Sequence, residues 1–109
     1  MMKRYRGWRD FNGTAHVTVK VARRSGHTLP MRLDLSNHSP DGFEWGYAGS
    51  GPAQTALAIL AHCLGDDARA LRLHQDFKFK VIAHLPEERW ALTEEEVRKA
   101  VTIIEEERK

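Results

Sequence analysis

Hydrophobic and polar residues alternate along two stretches in the first third of the chain. In residues 16–21 the valines fall on one side of an extended strand, because successive side chains of a strand point to opposite faces. Residues 29–35 alternate in the same way, and the glycine within residues 24–27 suits a turn between the two stretches. The pattern predicts a β-hairpin, which short strands near residues 3–6 and 43–47 would extend to three or four strands.

The clearest helix of the sequence begins after a proline and ends at a glycine. Residues 53–64 are apolar nearly all round and rich in alanine, which predicts a helix buried on most of its sides. Pro52 suits the first turn because its missing N–H has no partner there, and Ser50 or Gly51 is expected to cap the helix. Gly65 suits the left-handed conformation that ends many helices.

A second helix is predicted after Gly65. Residues 68–75 favour a helix, which Asp66 or Asp67 would cap. Residues 76–85 alternate like a strand and also carry polar residues at helical spacing, and we favour the helix for them.

The last helix begins with a capping box. The Thr93 hydroxyl is placed to accept from the amide three residues on, and the Glu96 carboxylate is placed to reach back. Trp90 and Leu92 are expected to pack just before this helix, which should run to about residue 107. Together the elements predict a single α+β domain over residues 1–109, with a small antiparallel sheet of three to four strands packed by two or three helices in two layers.

Composition narrows the class of protein. The 109 residues, 41% hydrophobic and 29% charged, are typical of one soluble folded domain. We expect no signal peptide and no membrane contact, and cytoplasmic residence is the default expectation. The one cysteine, Cys63, excludes an internal disulfide framework and a multi-cysteine metal site, and we expect it to be a buried packing residue.

Basic residues are concentrated at the start of the chain. The net charge is +2, but the first 32 residues hold eight Lys and Arg against the single acidic residue Asp10. This half of the chain could attract phosphates or an acidic partner. The alternative, which we favour at this point, is that these residues are the solvated faces of edge strands, where Lys and Arg discourage aggregation.

Residues 39–54 are the most distinctive segment, because glycines alternate with aromatic residues up to the predicted helix start. Glycines allow a backbone to approach a ligand, and the free amides of a helix N-terminus attract anions. The alternative is a purely structural turn, since the segment matches neither common phosphate-binding glycine motif. If the segment binds a ligand, the residues predicted to do so are Arg32, His38, Trp45, Gly46, Tyr47, Gly49, Ser50, Gly51 and Gln54.

The same segment resembles a known family. Residues 42–54 read Gly-Phe-Glu-Trp-Gly-Tyr-Ala-Gly-Ser-Gly-Pro-Ala-Gln, and together with residues 70–78 and 90–93 they look like a small domain-of-unknown-function family of bacterial, phage and plasmid proteins. The resemblance covers residues 3–104 and brings no catalytic residues. It implies small single-domain proteins, often on mobile elements, with accessory or anti-defence roles.

Three functions from different classes remain open. The leading hypothesis is a non-enzymatic protein that binds a small anionic ligand such as a nucleotide, with Arg4 and Arg6 as additional contacts. The second is an inhibitor or adaptor of a host protein, suggested by three tryptophans in a short chain. The third is a metal-dependent hydrolase or nuclease using His38, Asp41 and Glu44. No cofactor and no metal ligand set is predicted, nucleic acid is not excluded, and a homodimer is reasonable.

Overall fold

A four-stranded antiparallel sheet forms one layer of the protein, as described by a computed structural model for residues 2–109. Its strands are β1 (Lys3–Arg9), β2 (Ala15–Val21), β3 (His27–Thr28) and β4 (Arg89–Thr93). They lie in the order β3-β2-β1-β4. The predicted α+β class is therefore confirmed.

Three helices form the second layer. They are α1 (Ser50–Leu64), α2 (Asp67–Lys80) and α3 (Glu94–Glu107), with a short 3-10 helix at Ile82–His84. Within residues 2–109, no helix combines the length and apolar character needed to cross a membrane.

Helix α1 is the centre of the fold, as its apolar sequence predicted. Nearly every residue from Gly51 to Cys63 is buried. Gly65 ends the helix with φ +63°, the left-handed conformation expected of it. The cap prediction was wrong: Gly49, in an extended conformation, occupies the N-cap position, and it has no side chain to accept a bond.

The other two helices begin with the predicted side-chain caps. The Asp66 carboxylate accepts from the Arg69 amide at the start of α2. Of the ambiguous residues 76–85, those up to Lys80 continue α2 as favoured, and Ile82–His84 form the 3-10 helix. Thr93 and Glu96 exchange both bonds of the capping box at the start of α3. These local signals were readable because a cap involves residues only three positions apart.

The second strand of the predicted hairpin is much shorter than expected. Residues 29–35 were predicted as a strand, yet only His27–Thr28 pairs with β2. Pro30 has no N–H to donate, and Arg32 adopts φ +60°, which breaks an extended backbone. The alternation of residues 29–35 therefore belongs to a loop in which Leu29, Met31 and Leu35 pack against the core and Leu33 is exposed.

The strand predicted at residues 43–47 is also absent from the described sheet. Its buried backbone is satisfied elsewhere: the Glu44 amide donates to Thr55 Oγ1 at 3.1 Å, and the Gly46 amide donates to the Ile82 carbonyl at 3.0 Å. Gly46 has φ +87°, a conformation that glycine adopts without strain. Phe43 and Trp45 are buried, but the backbone of this segment bonds to helical residues and not to another strand.

The fourth strand, β4, was not predicted, and it changes the position of the basic residues. β4 pairs with β1 on the side opposite β2, so Arg6 lies between Thr18 and Ala91. β1 is therefore a central strand. The interpretation of its basic residues as edge-strand protection was wrong, because both edges of β1 are already paired.

Candidate functional site

Trp45, expected to stack on a ligand base, is part of the core. Its side chain is 1% exposed, and its indole N–H donates to the Glu87 carbonyl at 2.9 Å. The Trp90 ring meets it edge-on at 5.5 Å between centroids, and the Arg9 guanidinium lies 4.7 Å from its ring centre. A base could stack on Trp45 only by displacing these neighbours.

The glycines around the start of α1 make room for the protein's own side chains. A Cβ added to Gly49 would lie 2.7 Å from the Tyr47 ring, and one added to Gly51 would lie 2.7 Å from the Glu44 side chain. Tyr47 itself remains half exposed. Two of the loop glycines are thus explained by close packing, without a ligand.

Gln54 holds the loop before it in place. Its fully buried side chain accepts from the amides of His38 and Ser39 at 2.8 and 3.2 Å, and it donates to the Met31 carbonyl at 2.7 Å. Three of the four hydrogen bonds that this amide group can make are thus formed within the protein. Gln54 therefore fixes the segment between β3 and α1.

Arg32 is also committed to internal contacts. Its guanidinium pairs with Asp34 at 3.1 Å and with Asp67 at 2.9 Å, which ties the loop to the start of α2. Ser50, in the first turn of α1, is exposed. Of the nine predicted residues, Trp45, Gly46 and Tyr47 border one pocket, whereas the side chains of Arg32 and Gln54 bond to other parts of the protein.

A pocket of about 690 Å³ lies beside the loop, and Gly46 and Tyr47 help to line it. Its one guanidinium, Arg9, is already paired with Glu44 at 3.0 Å, and Glu87 adds a second carboxylate. Because the two carboxylates outnumber the single guanidinium, this pocket is electrostatically unfavourable for an anion.

The residues of the hydrolase hypothesis have separate partners. His38 Nε2 lies 2.9 Å from His74 Nε2, whereas Glu44 pairs with Arg9. Because the Leu71 carbonyl accepts from His74 Nδ1, the Nε2 of His74 is the acceptor of that histidine pair. Asp41 is exposed. In the part of the chain that the structure describes, no three His, Cys, Asp or Glu side chains are grouped to hold a metal ion.

Cys63 lies beside Tyr5 and His62 under the sheet. The Tyr5 hydroxyl is 2.9 Å from His62 Nδ1, and burial raises the pKa of both Tyr5 and the Cys63 thiol. Burial also lowers the pKa of His62, with the nearby Lys3 charge contributing. The thiol is therefore held protonated, as expected for a packing residue rather than a nucleophile.

The other face of the sheet is not covered by the helices, and we call it the open face. It is defined by the strand residues whose side chains alternate with the buried ones on β1, β2 and β4, together with their partner on β3. These residues are Arg4, Arg6, Trp8, His16, Thr18, Lys20, Thr28, Arg89, Ala91 and Thr93. None of these described strand residues carries a carboxylate.

An aromatic pair stands at one end of the open face. Trp8 is 42% exposed and stacks on its cross-strand partner His16, with ring centroids 4.4 Å apart and planes 19° from parallel. His16 Nε2 lies 2.8 Å from the Asp10 carboxylate, which also accepts from two amides of the β1–β2 turn. The histidine is therefore fixed in place, and it supports one side of the indole.

The cations of the open face have no carboxylate partners among residues 2–109, whereas three arginines on the helical side of the protein are each paired with a carboxylate. Arg69, Arg98 and Arg108 pair with Glu105, Glu94 and Asp76. The open-face cations instead line two pockets. One, of about 450 Å³, is bounded by Arg6, Trp8, Arg89 and Ala91 together with Gly7 and Trp90. The other, of about 340 Å³, is bounded by Arg4, Lys20, Arg23 and Thr93 together with Met2, Lys3 and Ala22.

Arg4 and Arg6 were predicted as accessory contacts, but Trp8, Lys20 and Arg89 were not predicted as site residues. The available signal was the alternation of Arg4, Arg6 and Trp8 with buried Tyr5 and Gly7 along β1. A basic and aromatic side of a strand indicates an exposed face. That β1 is a central strand, and that its exposed side lies in the middle of the sheet surface, follows only from the pairing of β4 with β1.

Neither a curated protein nor a solved structure matches the chain significantly. Residues 5–103 match the Family of unknown function (DUF6166). That range includes all of α1 and α2 and most of the open face. It also includes residues 46–54, which we call the glycine–aromatic loop. The chain therefore belongs to this family of unknown function.

Proposed function

We propose that the protein is a non-enzymatic binding protein for a phosphate-bearing anionic ligand, and that the ligand lies on the open face. The observation that supports this is a cluster of cations, unpaired within residues 2–109, around an exposed tryptophan. Arg4, Arg6, Lys20 and Arg89 project from three adjacent strands of one uncovered surface. The glycine–aromatic loop is a less favourable location, because Trp45 and Gln54 already bond to other parts of the protein.

Electrostatics favours an anion at this surface. Four like charges on neighbouring strands raise the potential above the sheet, since the strand residues between them carry no compensating carboxylate. Arginine also presents two parallel N–H donors that match the oxygens of a phosphate. Thr18 and Thr28 add hydroxyl groups to the same surface. The net charge of +2 hides this local excess, because eight of the 15 acidic residues lie in α2 and α3 and none lies on the strand residues of the open face.

We extend the proposal to the setting implied by the family resemblance. The protein would act in the cytoplasm as an accessory factor of a phage or other mobile element. A binding protein of this size would sequester its ligand or mask it from a host factor.

The test is calorimetry of the protein with ATP and with inorganic polyphosphate at low salt. Arg4→Ala combined with Arg6→Ala removes two open-face cations. Arg72→Ala combined with Lys99→Ala removes two exposed cations from α2 and α3 and serves as the matched control. We expect the control to bind like the wild type and the open-face variant to bind at least about tenfold more weakly. Absence of binding to both ligands, or equal losses in the two variants, would contradict the proposal.

A further inference from the structure

The pocket beside Trp8 has the features of a site for a flat aromatic ring. Trp8 has His16 as its partner on β2 and Arg89 as its partner on β4. The stacked His16 therefore covers the β2 side of the indole, and the pocket of about 450 Å³ lies on the β4 side. Ala91 is small enough to leave this space open.

The charges around that pocket suit a base attached to a phosphate. Arg6 and Arg89 flank the indole, so a ring that stacks on Trp8 has guanidinium groups at its edges. Indole rings stack on any nucleobase, because every base has a π-face. Bases within a duplex are already stacked on their neighbours, which leaves only an unstacked base able to enter.

The second pocket lies on the same surface, near the first residues of β1. Arg4 lies four residues before Trp8, which is about 13 Å along a strand that rises roughly 3.3 Å per residue. Arg4 pairs across the sheet with Lys20 and with Thr93, and all three border this pocket. Arg6 lies between the two pockets, so the cations form a continuous path along the strand.

This path favours a chain of nucleotides over a single one. A mononucleotide that stacks on Trp8 places its phosphate near Arg6 and Arg89 and leaves Arg4 and Lys20 without an anion. A short oligonucleotide contacts both groups. Resting on the proposed function, we infer that the ligand of the open face is single-stranded nucleic acid, with a base in the Trp8 pocket and the following phosphates along Arg6, Arg4 and Lys20.

The sequence of the bound strand is expected to matter little. The open face carries cations, threonine hydroxyls and stacking rings, which recognise phosphates and base faces. Arginine and lysine can bind the edge of guanine, so a preference for guanine is the expected exception; the edges of adenine and cytosine are recognised by asparagine, glutamine and carboxylate side chains. None of these types occurs among the strand residues of the open face, all of which are described.

The test is fluorescence anisotropy with a short labelled oligothymidylate and a labelled oligouridylate. The competitors are the corresponding duplex, inorganic polyphosphate of matched charge and a mononucleotide. We expect both single strands to bind, with the duplex and the mononucleotide at least tenfold weaker. The dependence of log Kd on log salt should become shallower by about 0.7 for each open-face cation replaced by alanine.

Variants separate stacking from charge. Trp8→Ala should weaken oligonucleotide binding by about tenfold or more, within the range measured for base–aromatic stacking, without changing the salt slope. Phe11→Ala removes a fully exposed aromatic residue of the β1–β2 turn and is the matched control. Trp8→Ala also removes the stack with His16, so a second variant tests the pocket while Trp8 stays in place. Ala91→Glu places a carboxylate at an exposed position that lines the pocket. Ala68→Glu, in the exposed first turn of α2, is its control.

The outcomes distinguish this inference from the proposed function. If the duplex and polyphosphate bind as tightly as the single strands, and Trp8→Ala and Ala91→Glu match their controls, the anion site stands and the single-strand inference is overturned. If neither the oligonucleotides nor polyphosphate binds, the proposed function itself fails. Tight binding of either single strand, lost in both pocket variants, supports the inference, and the ratio of the two affinities identifies DNA or RNA as the source.

Discussion

The glycine–aromatic loop at residues 46–54 and the open face differ in what their polar groups already do. In and around the loop, Gln54 makes three hydrogen bonds, Trp45 donates to Glu87, and the glycines accommodate neighbouring side chains. On the open face, the cations have no internal partners among the described residues. A group that is satisfied inside the protein must break a contact before it binds a ligand, whereas an unpaired solvated cation loses only water. The comparison therefore favours the open face as the binding surface.

The largest expected effect concerns stability of the loop. Gln54→Ala leaves the His38 amide and the Met31 carbonyl without their buried partner and opens a cavity beside α1, so it should lower the free energy of unfolding by about 3 kcal/mol. Urea denaturation measures this change, and Gln75→Ala, at an exposed position of α2, is the control. Folded Gln54→Ala protein should bind oligonucleotide with the wild-type Kd. A loss of affinity without a loss of stability would instead place the ligand at the loop.

A smaller stability effect is expected where the loop glycine meets a side chain. Gly51→Ala places a methyl group 2.7 Å from the Glu44 side chain, and this overpacking should lower the free energy of unfolding by about 1 to 3 kcal/mol. Ser50→Ala should change it by less than about 0.5 kcal/mol, because the Ser50 side chain is exposed and Gly49 is the N-cap residue. Thermal denaturation of the two variants provides the comparison. Equal stabilities would show that close packing is not the reason for this glycine.

The fold was largely predictable where signals are local, and least predictable where they depend on distant partners. Capping residues such as Thr93 and Asp66 indicated helix starts correctly, since their bonds reach only three residues. The strand β4 was missed because Trp90 and Leu92 were interpreted only as residues preceding α3. Their strand conformation depends on pairing with β1, more than eighty positions away in sequence.

The candidate site depended on that same distant pairing. Arg4 and Arg6 were recognised as basic strand residues, but their interpretation as edge protection followed from the missing strand. The loop attracted attention because glycines and aromatics are conspicuous in a sequence. Whether glycines such as Gly49 and Gly51 serve a ligand or a neighbouring side chain is decided by three-dimensional packing, which composition does not report.

His74, a largely buried histidine of α2, gives a pH-dependent stability. Burial, with contributions from the nearby His38 and Lys78 charges, lowers the pKa of His74 below its ordinary value of 6.5. The unfolded chain therefore takes up a proton at a higher pH than the folded protein does. This contribution to stability is present above pH 6.5 and is lost as the pH falls below it.

Urea denaturation above and below pH 6.5 tests this prediction. The free energy of unfolding of the wild type should fall on acidification, and His74→Leu should reduce that dependence. Part of the dependence should remain, because burial also lowers the pKa of His62. His84→Leu, at an exposed position, is the control. An unchanged dependence in His74→Leu would contradict the assignment.

The smallest expected effect concerns the indole of Trp90. Its buried Nε1 has no hydrogen-bond partner in the described structure, and an unsatisfied buried donor is unfavourable. Trp90→Phe removes that donor but also loses packing against Trp45, so the two effects oppose each other. We expect a change in the free energy of unfolding of less than about 1 kcal/mol, measured by urea denaturation. A loss of several kcal/mol would contradict this expectation and show that the packing of the indole far outweighs the cost of its unsatisfied N–H.

The central claim is that ligands bind the open face and not the loop. The most direct test is an anisotropy titration of labelled oligothymidylate with two variants: Arg4→Ala with Arg6→Ala on the open face, and Tyr47→Ala with Ser50→Ala at the loop. Both pairs of residues are at least partly exposed, so both variants should fold. We predict that the open-face variant loses at least about tenfold in affinity and that the loop variant binds like the wild type. Loss of binding in the loop variant alone would contradict the account.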